Sequence, residues 1–216
     1  MRDDRIQYFA ENMDRLSRRD RIFLNNPVIM QGLGLAIIII PATNLKNALI
    51  LATAVLLLMT PTRMIATFIG QRTGFKFRAV IYALTAGLVY VAVSYIMEGI
   101  FGPDLASVGI YLPLLVMDPI ILKRYESPKR ERLSTSFKKG IITTIGFCLT
   151  LFLVAALREL MAQGTVGGIE VFRVAFFPMA QMPAGGFFIL AFVVAAWRGM
   201  VNAFKKSIGV GVKKLP

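Results

Sequence analysis

The sequence predicts an all-α integral membrane protein with six transmembrane helices, and three observations predict it. Of its 216 residues 56% are hydrophobic and the mean hydropathy is +0.65, above the roughly 45–50% apolar share of soluble domains. Several apolar runs reach the length of about 20 residues that crosses roughly 30 Å of hydrocarbon. The basic residues cluster in alternate connections, as they do when short loops on one side of a membrane collect them. A soluble fold would need one core to absorb every apolar run.

The segments separate at about 28–43, 46–69, 78–101, 105–124, 138–162 and 184–204, with ends uncertain by about two to four residues. The first is short. Its 16 residues cover only about 24 Å as a helix, so it either begins at Phe23 and carries Asn25, Asn26 and Pro27 inside it, or does not fully span. The second holds Thr60 and Pro61 in its last third, where a carbonyl freed by the proline needs another partner. The expected organisation is one membrane domain over 1–216: a cytoplasmic segment 1–22, a three-helix unit 23–101, a second unit 104–204 and a cytoplasmic tail 205–216.

The net charge is +13, and orientation in the membrane, rather than nucleic-acid binding, accounts for it. Assigned to six crossings, 22 of the 25 Lys and Arg residues fall in the N-terminal region, the second loop, the fourth loop and the tail; Lys46, Arg158 and Arg173 make up the other side. This places both termini in the cytoplasm, as a multi-pass protein of the cytoplasmic (inner) membrane. The run "KRYESPKRERLSTSFKK" is then a solvated loop, and no nucleic-acid partner is expected. The first 21 residues are charged rather than apolar, so no signal peptide is expected. A single cysteine, Cys148, excludes disulfides within the chain.

Half of six is three, and an odd number of crossings inverts a duplicated unit relative to its copy. Each half opens on a glycine- or proline-marked span, "VIMQGLGLAIIII" and "SVGIYLPLLVMDPII". The expected fold is therefore an inverted three-plus-three repeat with interrupted first and fourth helices, the arrangement that points to a site near the membrane midplane. Gly32 and Gly34 allow either close helix packing or a break lining an internal site. Asp118, followed by Pro119, would cost about 2.5–3.5 kcal/mol in hydrocarbon and so faces the protein interior, or else it caps a helix near Lys123. Gly32, Gly34, Ala36, Asp118 and Pro119 form the candidate midplane site. Arg158 and Glu159 read as an interfacial pair that snorkels to water and contributes little, and Cys148 reads as a small buried hydrophobe. Met179 and Met182 have no histidine or second thiolate to make a soft-metal site, and an outer loop re-entering the interface accounts for them. No catalytic constellation and no nucleotide-binding loop is present.

Four stretches, "NNPVIMQGLGLA" (Asn25 to Ala36), "VGIYLPLLVMDPIILKR" (Val108 to Arg124), "LVAALRELMAQGT" (Leu153 to Thr165) and "MPAGGFFILAFVVAAWR" (Met182 to Arg198), resemble the Rnf/Nqr membrane-subunit family in order and spacing. The resemblance, which covers nearly the whole chain, implies an inverted repeat whose two broken helices meet near the midplane. It also implies two related subunits that pool four cysteine thiolates around a two-iron, two-sulfur cluster carrying electrons across the membrane. Here the first motif ends in Ala36 where relatives keep a cysteine, and the second reads Met117, Asp118, Pro119 where relatives end in one. Alanine and proline offer no ligand and the chain has no histidine, so no cluster, other cofactor or metal is expected. The expectation is a cluster-less subunit or paralogue associated with a membrane electron-transport, ion-translocating complex, not catalytic alone and partnered by lipid and by a second family subunit or a second copy. The alternative is a small-solute or ion transporter built on the same scaffold, with Asp118 as its binding group.

Overall fold

The computed structural model describes residues 20–70, 77–117 and 132–213. Their elements in chain order are α1 (Pro27–Gln31), α2 (Leu35–Ile39), α3 (Leu45–Gly70), α4 (Arg78–Phe101), a 3-10 turn (Gly102–Ser107), α5 (Tyr111–Leu114), α6 (Leu133–Gln163), β1 (Thr165–Val166), β2 (Ile169–Glu170), a second 3-10 turn (Pro178–Gln181) and α7 (Pro183–Lys213). Among the described residues four helices are long and apolar enough to cross a membrane: α3, α4, α6 and α7. The expected boundaries of the second and third segments hold to within a residue, while α6 and α7 run further into the polar flanks. Pro61 sits inside α3 without ending it.

The first segment differs from a spanning helix. It is two five-residue helices, each only about 7.5 Å long, separated by Gly32–Leu33–Gly34. The alternative of one helix that begins at Phe23 and carries Asn25, Asn26 and Pro27 inside it is not what the structure has: the first helical residue is Pro27, with Asn26 as its cap. The fourth segment begins as the 3-10 turn and the four-residue α5, then continues into 118–131, outside the described residues. One further correction applies to the all-α reading: a two-residue antiparallel hairpin pairs Thr165 with Glu170 and Val166 with Ile169. Its turn, Gly167–Gly168, has φ of 62° and 81°, and positive φ at both positions is what a type I′ hairpin turn demands.

Helices α3 and α6 form the centre. They run antiparallel, since Leu45 meets Glu159 at one end and Thr67 meets Ser136 at the other. Their seam buries Leu51, Leu58, Phe147, Leu151 and Val154. Half or more of the apolar window of α3 and of α6 is buried, against 28% in α4 and α7, so the latter pair is peripheral. Leu84, Leu88, Val91 and Tyr95 of α4 recur at helical spacing and are all exposed. An apolar stripe of that kind suits hydrocarbon rather than water.

The broken segment is seated against α6 by polar contacts. The Asp20 carboxylate accepts from the backbone N–H of Ile22, Phe23 and Leu24, and Asn26 caps α1. Its side-chain oxygen accepts from Val28 N (3.0 Å), Ile29 N (3.3 Å) and the Thr150 hydroxyl (3.1 Å), and its amide donates to Ile22 O (3.1 Å) and Gly146 O (2.8 Å). Pro27 follows at the first helical position, where its missing N–H costs nothing. Gly146 must be glycine, because a Cβ there would fall on Arg21 O and press within 3.1 Å of Pro27 Cδ. Replacing Asn26 by Ala removes the cap and both donations, and should lower stability by about 2 kcal/mol, the upper end of cap losses. Thermal unfolding of the purified protein in detergent would measure it, with Asn26→Ser, which keeps a capping acceptor but loses both amide donations, falling between Ala and the parent.

Candidate functional site

The site is built around the break in the first segment. Gly32 (φ 70°) ends α1 as a left-handed cap, its N–H donating to Val28 O at 2.9 Å, while Leu33 N donates to Pro27 O at 3.1 Å. Gly34 (φ 63°) opens α2, its carbonyl accepting from Ile37 N and Ile38 N. A left-handed conformation costs an ordinary residue about 1–2 kcal/mol, so the two glycines exist for the backbone rather than for close packing. Between them Leu33 is fully buried and pins the break to the core.

A break inside a membrane leaves carbonyl groups without helical partners, and no water is there to take them. Arg158 of α6 takes those at the end of α2. Its side chain is 0% exposed. One terminal nitrogen donates to Ile39 O (2.6 Å), Ala42 O (3.2 Å) and Ile38 O (3.3 Å); Nε donates to Ala180 O (2.9 Å); the other terminal nitrogen donates to Gln181 O (3.1 Å) and Met182 O (3.5 Å). One guanidinium therefore joins α2, α6 and the turn that precedes α7. A second arginine, Arg198 of α7, donates to Ile29 O of α1 at 3.1 Å, one residue after Trp197, whose Nε1 donates to Phe23 O at 3.0 Å.

Glu159, only 4% exposed, works at the other side of the same corner. One carboxylate oxygen accepts from Leu45 N at the start of α3 (2.8 Å); the other accepts from Gly168 N (3.0 Å) and the Thr165 hydroxyl (3.2 Å). An open depression lined by Asn44, Lys46, Glu159, Gln163 and Thr165 lies over it, but the carboxylate already has three donors and acts as a cap. The sequence expectation of an interfacial Arg158–Glu159 pair is thus corrected: both are buried, and each binds backbone rather than the other. Neighbouring helical positions point about 100° apart, so i and i+1 side chains do not face each other.

Ala36 lies on α2, exposed beside the exposed Leu35. Helix α5 of the fourth segment packs against α2, with Leu112 and Leu115 buried and Leu114 and Met117 exposed. The first and fourth segments therefore touch. Asp118 and Pro119 lie outside the described residues. Cys148 is a free, half-buried thiol on α6, and among the described residues no group of three or more Cys, Asp or Glu is placed to hold a metal ion.

Residues 17–194 match the family described as "Rnf-Nqr subunit, membrane protein". The chain belongs to the Rnf-Nqr family. It is similar to a subunit of the ion-translocating oxidoreductase complex of Haemophilus influenzae (strain PittEE), 30% identical over 79% of this chain and 75% of that protein. It is 27% identical to the protein of the same description from Shewanella oneidensis over 81% and 82% of the two chains. A subunit of the proton-translocating ferredoxin:NAD(+) oxidoreductase complex of Clostridium ljungdahlii is 28% identical over 81% and 83%.

Within this Rnf-Nqr subunit, sequence reasoning missed Asn26, Asn47, Arg198 and the Gly185–Gly186 pair. Asn47 donates to Pro41 O (2.9 Å) and accepts from the Ser107 hydroxyl (2.9 Å), joining the corner after α2 to the turn before α5. The signal for Asn26 was present, as an asparagine before proline at a helix start. The others are single polar or small residues in apolar stretches, and their partners are remote in sequence. A Cβ on Gly186 would stand 2.7 Å from Ile39 O and 3.1 Å from Arg158 Cζ, and one on Gly185 would fall on Met179 O.

Arg158→Lys should destabilise by about 3 kcal/mol or more, because an ammonium cannot reach the carbonyls at the end of α2 and those of the turn before α7 together, and several buried acceptors lose their donor. Arg198→Lys, with one such contact, should cost about 1 kcal/mol. Thermal unfolding in detergent would compare the two; equal losses would show that the clamp at α2 is not special.

Proposed function

We propose that this Rnf-Nqr subunit is a cluster-less member of an ion-translocating electron-transfer complex that docks a second membrane subunit of its family on the face beside the broken first helix. The observation that carries the reading is Ala36: the break and its polar clamps are intact, α2 presents residue 36 on an exposed face, and the side chain there is a methyl group. The residues present do not fit an iron–sulfur cluster. Thiolates or, in a few centres, imidazoles are needed, and this chain has one cysteine, on α6, and no histidine. Membership in a larger assembly is supported by the relatives, which are named as subunits of ion-translocating complexes. In this reading the protein scaffolds a partner's redox chemistry and supplies none of its own.

The proposal includes six crossings in an inverted three-plus-three arrangement, with both termini in the cytoplasm of a bacterial inner membrane. Arg63 and Arg198, counted among the cytoplasmic basic residues, prove to be helix residues, as does Arg158 on the other side. Arg78, Lys138, Lys139, Lys205, Lys206 and Lys213 lie in helices as well, and so does Lys46 on the other side; setting all these helix residues aside leaves 14 against 1, so the bias that supports the orientation survives.

Two measurements test this reading. Iron in the complex purified through this chain should be unchanged by Cys148→Ser; loss of cluster iron in that variant would refute the cluster-less assignment. In a Cys148→Ser background, a cysteine at Pro103 should react with an impermeant thiol reagent added to intact cells and one at Ser134 should not. The reverse pattern would invert the orientation.

A further inference from the structure

The connection between α6 and α7 does not arch away from the helices it joins. After the hairpin, Val171 N and Phe172 N donate to Gly164 O (both 2.9 Å), Phe177 N donates to Met161 O (2.8 Å), and Ala180 O accepts from Arg158. The chain thus runs back along α6 from the level of Gly164 to that of Arg158, about 9 Å at 1.5 Å per residue, before α7 begins at Pro183. Its side chains then sort by direction. Ala175 and Phe177 are half-buried and Ala180 is fully buried, whereas Val174, Phe176 and Met182 are 61–69% exposed and Met179 is exposed with them.

We propose that Val174 to Met182 is a lipid-docking element that sets its outward side chains into the acyl–headgroup boundary of the leaflet at this end of the bundle. The polar level is marked close by, where Lys46 pairs with Asp104 at 2.8 Å, both exposed, one residue after Leu45, which is bonded to Glu159. The descending segment starts outward of Glu159, between the levels of Gly164 and Met161, and reaches Arg158 at Ala180, so it crosses that polar level within about 9 Å, a span comparable with the roughly 5–10 Å burial of interfacial elements. Gln181 is the sole polar side chain from Val174 to Met182, and Arg158 already occupies the carbonyls of Ala180, Gln181 and Met182. The side chains therefore offer almost nothing directional to orient a protein partner, and the backbone groups of Val174 to Phe176 would face the hydrated headgroups rather than the acyl core. The set also continues into Phe187 and Phe188, exposed on the peripheral α7.

Nitroxide labels on Val174→Cys and Phe176→Cys, in the full chain with Cys148→Ser and reconstituted in lipid nanodiscs, test the placement through collision with oxygen and with a nickel chelate. Phe192→Cys on α7 is the lipid reference and Pro103→Cys the aqueous one. The expected oxygen-to-nickel ratio at 174 and 176 matches that at 192 and exceeds that at 103 severalfold. A ratio like that at 103, or low accessibility to both probes in the assembled complex, the mark of a covering subunit, would overturn the proposal. Should a variant fail to fold, the unmodified chain can be irradiated with a phospholipid carrying a diazirine near the carbonyl end of its acyl chain. Labelling of residues 174–182 is expected, and labelling of α4 and α7 without it would equally overturn the idea.

Discussion

The arrangement depends on one buried cation finding enough acceptors. A guanidinium in a place that water does not reach must surrender its hydration, and a broken helix in the same place must find donors for its carbonyls. Each deficit answers the other at Arg158. Its contacts on α2 and on the turn before α7 make the ionic group a structural joint, and they explain why no carboxylate is needed to balance it. The same joint imposes the absence of a side chain at Gly186, where a Cβ would stand 3.1 Å from the guanidinium carbon.

Glu159 completes the corner from the opposite sign. The end of α2 presents carbonyl oxygens and the start of α3 presents N–H groups, so the short connection between them offers negative and then positive partial charge. Consecutive residues of α6 supply the matching ions: Arg158 to the carbonyls of Ile38, Ile39 and Ala42, and Glu159 to Leu45 N. A dipeptide that looks like a surface pair is two caps, held in different directions by the helical twist. The ends of the broken segment are thereby tied to α6 and α7 rather than left to the bilayer, and this is what allows glycine-bounded, five-residue helices to persist where an isolated helix of that length would not.

A break held this firmly is a costly thing to keep. In the proposed subunit pairing its role is shape: α2 and α5 touch and leave Leu35, Ala36, Leu114 and Met117 exposed beside the break. A ligand cysteine at residue 36 would stand on the same exposed surface, facing outward from the protein. In that proposed pairing, alanine rather than a thiolate at residue 36 changes the chemistry available at that surface without disturbing the polar clamps that build it, all of which are made by other side chains.

The sequence by itself determined the membrane class, the extents of α3 and α4 and the family, and it marked Gly32 and Gly34 as either a packing face or a break, because each is written in local composition or in a contiguous motif. Apolar length follows from hydrocarbon thickness, and Gly-Leu-Gly permits positive φ at both ends of a buried leucine. What only the tertiary structure decided is where the polar residues point. Arg158 reads in sequence as a snorkelling side chain near a helix end, and nothing within α6 says that residues some 120 positions earlier bring carbonyls to it. Asn26 meets Gly146, Asn47 meets Ser107 and Arg198 meets Ile29 across gaps of 120, 60 and 169 residues. A hydrogen bond needs its partner within about 3 Å, and that proximity is a property of the packed helices, so the fold of the spans was legible in the chain while the polar clamps that give the broken helix its shape were not.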